Sequence, residues 1–258
     1  MTMNKTMDKS VQEAQVKSSD GSALYCCLQK PEGEGPFPAV IFIHGGLGAD
    51  PKYTRAMLDW SVAGLLHQEG FVVVSTDFRI DLTGKDIGDV VAAFKYVAEL
   101  PFVDAQEIAY FGDSHGAYLA IMASTQTNPF VLIHGWGVAD MAEWYRHIKI
   151  IPVSYYQKVS ADLEKSLGGT PDQAPEAFHQ VSPAAHVANI KCPILILHGE
   201  EDKEVPVAHA QIMANAIEKV GGKYALKIFK NAGHGLRSPQ DRQEMAGVVL
   251  EFIKKQLN

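Results

Sequence analysis

The sequence predicts an α/β fold: a mostly parallel eight-stranded sheet with helices on both faces. Three observations carry that expectation. Short continuous apolar runs recur along the 258 residues, as strands buried on both sides of a parallel sheet require. Stripes at helical spacing separate those runs. An Asp20-Gly21 pair between two strand-like segments adds an antiparallel hairpin at the start.

Taken in order, a polar leader covers about residues 1–15, and residues 16–19 and 23–28 form the hairpin. A loop rich in Pro and Gly at 31–36 precedes Ala39, Val40, Ile41, Phe42 and Ile43, a central strand. Leu58, Val62, Leu65 and Leu66 then recur at helical spacing, Gly70 caps that helix, and residues 71–74 start the next strand. Ile87, Val90, Val91, Phe94, Val97 and Ala98 lay an apolar stripe on a third-layer helix leading to the strand at 108–111. Residues 130–133 and 193–197 read as buried strands, and 225–229 as a strand nearer the edge. Met213, Ala216, Ile217 and Val220 mark the helix between the last two. The final helix has Ser238 as N-cap, Pro239 in its first turn and Met245, Val248, Val249, Phe252 and Ile253 on one face. Residues 135–181 break this rhythm. They carry Trp136, Trp144, Tyr145, Tyr155 and Tyr156, a composition suited to a lid or cap insertion.

Composition narrows the function. A net charge of −7, with no run of Lys or Arg longer than two, lacks the footprint of a nucleic-acid binder. No apolar stretch reaches the roughly 20 residues of a membrane span, and the polar start lacks a secretory signal. A cytoplasmic, single-domain chain over 1–258 is therefore expected. Three cysteines make a poor disulfide framework, and ten histidines fall in no ligand spacing. No metal and no cofactor are expected.

The chemistry is concentrated in Gly112-Asp113-Ser114-His115-Gly116, set between an apolar strand and a buried helix. Glycines on either side of a serine allow a turn too tight for side chains, and the turn pushes the hydroxyl out at the sheet edge. A serine hydroxyl is a weak nucleophile at neutral pH and needs an imidazole to take its proton and an acid to orient the imidazole. Asp202 follows the strand ending at Leu197, and His234, between two glycines, follows the strand ending at Phe229. Glu200 and Glu201 compete with Asp202 as the acid. His134 and His198, at strand ends, read as packing residues. Acyl transfer also needs N–H donors for an oxyanion. The expected donors are Gly46, preferred over Leu47 in the loop His44-Gly45-Gly46, and His115 directly after the serine.

With these motifs in place, the chain resembles the α/β-hydrolases, and most of all the catalytic domain of the prolyl-oligopeptidase family and its esterase and dienelactone-hydrolase-like relatives. The residues that carry the likeness are Ser18-Ser19-Asp20-Gly21, Phe37-Pro38-Ala39-Val40, His44-Gly45-Gly46, the Ser114 turn, Ser182-Pro183, the run from Ile194 to Gly199 with Asp202, and Gly233-His234-Gly235. The resemblance implies Ser114 as nucleophile, His234 as general base and then acid, Asp202 as its orienting partner, and Gly46 and His115 as oxyanion donors. Three departures stand beside it. The short leader leaves no room for the propeller of the family's peptidases, Leu47 replaces a frequent proline, and Ala117 replaces the usual glycine. They point to a serine carboxylesterase acting on small soluble esters. An aminopeptidase or acylaminoacyl-peptidase acting on short peptides is the alternative, and a binding protein on a hydrolase scaffold is a third reading. Trp136, Trp144 and Tyr145 suggest an aromatic or apolar acyl site.

Overall fold

The computed structural model describes residues 11–46, 48–79 and 84–257. Eight strands form one sheet: β1 (Val11–Lys17), β2 (Ala23–Gln29), β3 (Phe37–Ile43), β4 (Val72–Thr76), β5 (Val103–Asp113), β6 (Val131–Gly135), β7 (Ile194–Gly199) and β8 (Tyr224–Phe229). Their spatial order is β1-β2-β4-β3-β5-β6-β7-β8. β1 and β2 pair antiparallel, β2 meets β4 antiparallel, and the remaining pairs are parallel.

Alternation along the strands divides the core in two. Val40 and Phe42 face α1 (Pro51–Met57), α2 (Ser61–Gln68) and α9 (Pro239–Leu257) through Met57, Val62 and Val249. Ile41 and Ile43 face the opposite layer, with α3 (Lys85–Ala98), α4 (His115–Ser124) and α8 (Ala208–Lys219) supplying Val90, Leu119 and Met213. Both faces of the central strands are thus apolar and covered, which is why their sequences are continuous apolar runs.

Three boundaries differ from the sequence expectation, β5 beginning at Val103 rather than at 108. β1 begins at Val11, inside the expected leader, because an edge strand whose side chains are largely exposed has no apolar run to announce it. The helix expected around Leu58 is divided into α1 and α2, since Asp50 caps α1 through the N–H groups of Lys52 and Tyr53 and a turn at 58–60 redirects the chain. Gly70, at φ +90°, ends α2 as expected, with the Phe71 N–H donating to the Leu66 carbonyl at 3.0 Å. Ser238 likewise accepts from the Asp241 N–H at 3.0 Å ahead of α9. The segment between β6 and β7 folds as α5 (Met141–Lys149), α6 (Ser154–Leu167) and α7 (Pro175–Gln180), followed by two short 3-10 turns.

Candidate active site

The central strand β5 runs straight into Ser114, which sits at φ 54° and ψ −114° between β5 and α4. Its neighbours explain the two glycines. A Cβ on Gly116 would stand 1.9 Å from the Ile43 carbonyl oxygen, and one on Gly112 would stand 2.4 Å from the Gly116 carbonyl oxygen. Only bare backbone lets α4 approach β3 so closely, and that approach fixes the serine above the sheet edge. Ala117, where a glycine was expected, finds its room beside Gly137, whose added Cβ would lie 2.6 Å from the Ala117 Cβ.

The loops after β7 and β8 converge on that serine. A Cβ on Gly199 would lie 2.4 Å from the Ala232 carbonyl oxygen, so the two loops touch backbone to backbone. The Ser114 hydroxyl donates to His234 Nε2 at 2.9 Å, and His234 Nδ1–H donates to Asp202 Oδ2 at 2.7 Å. Asp202 is 6% exposed, and its Oδ1 accepts the N–H groups of Glu204 and Val205, each at 2.9 Å. Burial alone would raise its carboxyl. Hydrogen bonds from His198 and His234, the His234 charge and the Val205 N–H outweigh that and hold it well below the usual carboxylate range. For His234, burial favours the neutral ring, yet the hydrogen bond to Asp202 and the negative charges of Asp202, Glu204 and Asp113 bring its pKa above the ordinary histidine value. Asp202 is therefore fixed as an anion beside a base of strengthened affinity for protons.

The competing acids lie elsewhere. Glu200 is exposed and accepts the Asn231 N–H at 3.2 Å, while the exposed Glu201 uses its own N–H on the Ala232 carbonyl. His198 is more than a packing residue. Its buried Nε2–H donates to the Val205 carbonyl at 2.8 Å and lies 3.4 Å from Asp202 Oδ2, behind the carboxylate. Its position at the end of β7, four residues before Asp202, is the one sequence signal of that contact. Burial pushes His134 down to about 3, so that ring is neutral.

The two residues expected to supply oxyanion donors line the same cavity as Ser114. His115 opens α4, where the first N–H groups have no intrahelical carbonyl to use. Gly46 has φ +82°, a left-handed conformation that a side chain would strain. Its neighbour Gly45 packs against Asp113 and Ser114, where an added Cβ would stand 3.0 Å from the Ser114 Cβ and 3.4 Å from Asp113 Oδ1. Leu47 lies outside the described residues.

A cavity of about 500 Å³ opens over Ser114 and His234, with Tyr53, Trp144, Tyr155 and Tyr156 among its walls. A smaller apolar recess of about 40 Å³, lined by Val159, Leu163 and Leu167, shares Tyr118, Met141 and Trp144 with it. Of the aromatics expected to form the acyl site, only Trp144 faces the cavity. Trp136 is fully buried in the core against α9, and Tyr145 packs edge-on to Phe178 with ring centroids 5.4 Å apart. Tyr155 and Tyr156 stand in their place. Among the described residues no group of three or more metal-ligating side chains is placed to hold an ion, and no helix is long and apolar enough to cross a membrane.

A parallel sheet of this order with a serine turn after its central strand is an α/β-hydrolase fold. The prolyl oligopeptidase family matches residues 58–258, and the chain belongs to that family. It is 26% identical over 253 residues to a Bacillus subtilis (strain 168) protein described as "Uncharacterized peptidase YuxL", covering 91% of this chain and 37% of that one. Against the acylamino-acid-releasing enzyme of Arabidopsis thaliana the identity is 25%, over 90% of this chain and 32% of the relative. A second Bacillus subtilis (strain 168) protein, "Uncharacterized peptidase YtmA", is matched at 25% identity over 92% of this chain and 90% of its own length. The chain thus spans about a third of the length of the first two relatives and nearly all of the third. Among solved structures, a puromycin-hydrolyzing peptidase of Mycobacterium tuberculosis superposes with TM-score 0.78 at 21% identity, over 96% of this chain and 39% of the other. The acylaminoacyl peptidase of Pyrococcus horikoshii gives TM-score 0.77 at 22% identity, over 96% and 41%.

Proposed function

We propose that this chain is a serine hydrolase that cleaves amide bonds of short peptides or acylated amino acids through an acyl-enzyme on Ser114. The unbroken chain Asp202, His234, Ser114 carries the reading. His234 Nε2 takes the hydroxyl proton as Oγ bonds to the carbonyl carbon, and the carbonyl electrons move onto oxygen, facing the N–H groups of Gly46 and His115. Collapse breaks the C–N bond as His234 returns the proton to the leaving amine. Water then enters, deprotonated by the same imidazole, and releases the acid and the free serine. The recess beside Trp144 supports an apolar side chain on the acyl side.

The family membership and the peptidase names of its relatives favour amides over the carboxylic esters first expected. Carboxylesterase activity stands as the second reading, because the same apolar recess accepts an alkyl acyl group and an ester asks less of the leaving-group proton. A fluorophosphonate probe should label Ser114 and leave Ser114→Ala unlabelled. Aminoacyl and acylaminoacyl p-nitroanilides, compared with matched p-nitrophenyl esters, rank the two readings. Turnover of esters with no detectable anilide cleavage would sink the peptidase reading, and an unlabelled Ser114 would sink both.

A further inference from the structure

One buried carboxylate beside the site has no part in the Ser114, His234, Asp202 chain. Asp113 ends β5 directly before the nucleophile turn and is 4% exposed. Donors from two parts of the fold converge on it, and a third part packs against it. The Trp136 indole N–H donates to Oδ1 from just beyond β6, and the Tyr53 hydroxyl donates to Oδ2 at 3.3 Å from α1. The Gly45 backbone, in the loop after β3, packs against the same carboxylate, and a Cβ there would stand 3.4 Å from Oδ1. That loop is pressed against the same turn, since a Cβ on Gly45 would stand 3.0 Å from the Ser114 Cβ and 3.1 Å from the Asp113 carbonyl oxygen.

A carboxyl oxygen accepts, which matches the two incoming donors. Burial outweighs the opposing Trp136 bond, His234 charge and Tyr53 bond and raises the Asp113 carboxyl above the usual carboxylate range. Removing such an acceptor leaves these donors unmatched and frees the loop to turn. The next peptide along that loop carries the Gly46 N–H.

We propose that Asp113 is a positioning residue for acyl transfer: it fastens the Gly45-Gly46 loop to the turn bearing Ser114 and so holds the Gly46 N–H where the oxyanion forms. The proposal rests on the acyl-transfer reading above. The groups that act electrostatically on His234 include Asp202, Glu204 and Asp113, and Arg237 lies 3.6 Å from Glu204. Those acting on Asp113 include His234, Trp136, Gly45 and Tyr53, with Arg242 acting in turn on Tyr53.

The test measures kcat per fluorophosphonate-titrated Ser114 site for Asp113→Asn. A misaimed oxyanion donor acts in the transition state, so kcat should fall about tenfold or more while KM stays within about twofold. A merely structural role lowers the titratable fraction but leaves kcat per site and KM in place, and that result overturns the proposal. If Asp113→Asn does not fold, Tyr53→Phe serves, since Tyr53 is 37% exposed. It should lower kcat per site by about two- to fivefold, and an unchanged kcat overturns the proposal. A wild-type protein that takes no label and turns nothing over removes the acyl-transfer reading and this proposal together, whereas an active wild type with an unaffected Asp113→Asn removes this proposal alone.

Discussion

The sheet edge around Ser114 and the helices of 141–180 differ in how tightly their residues are determined. At the sheet edge, backbone meets backbone: Gly112, Gly116 and Gly199 each sit where a Cβ would collide with a carbonyl oxygen at 2.4 Å or less. The helices between β6 and β7 pack through side chains and leave apolar groups in solvent, with Ile150 81% exposed, Tyr155 48% and Val153 46%. A contact between main chains admits few sequences, while a packed amphipathic helix accepts many. On the proposed function, the reacting groups sit on the first kind of region and part of the cavity wall on the second.

The largest expected effect lies in the tight region. Asp202→Asn should lower kcat about 10⁴-fold with the fold intact, because the His234 ring loses its orienting anion; kinetics beside a circular-dichroism spectrum check it. A loss below about tenfold would place the orienting carboxylate elsewhere. Next comes a pair of equal substitutions in unequal places. Gly116→Ala should destabilise by about 3 kcal/mol or more, since β3 and α4 must part. Gly168→Ala, at the end of α6 with φ +84° and open space beside it, should lose only about 1 kcal/mol. Denaturant midpoints that coincide would erase the contrast between the regions.

The scaffold behind the site should also be the acid-sensitive part. Burial holds His134 and His209 near 3 and 4, so both are neutral in the fold and take up a proton on unfolding once pH drops below about 6.5. The unfolded state then binds more protons, and stability falls as pH falls from about 6.5 toward 4, by about 2 kcal/mol for each histidine near pH 5. His134→Asn should flatten that dependence in urea titrations at two pH values. The smallest effect belongs to the helices over the cavity. Tyr155→Ala should raise KM about threefold with kcat unchanged, the signature of lost uniform binding, and a fall in kcat alone would give Tyr155 a role in the chemistry.

The same contrast explains what could be read from the sequence. Continuous apolar runs marked the five inner strands β3 to β7 because burial on two faces leaves no other pattern, whereas β1, largely exposed on an edge, started unannounced at Val11. Ser114, Asp202 and His234 were legible because strand ends and paired glycines mark where loops must meet. Trp136 was misread as a cavity residue, since an indole belongs equally well in a core, and only the fold reveals that its N–H turns to Asp113. The part played by Asp113 was not read from the sequence for a related reason: its partners Tyr53 and Trp136 lie far away in the chain. His198 was read only as packing, although it stands four residues before Asp202.

His234 follows β8, the strand that closes one end of the sheet, while Ser114 follows β5 at its middle. The reactive hydroxyl is thus anchored in the most protected part of the molecule and its proton acceptor in one of the least, because terminal strands open at lower free energy than central ones. Mild denaturant should therefore silence turnover at a lower concentration than it melts the sheet, so that catalysis reports the fraying of a single border strand long before the interior gives way.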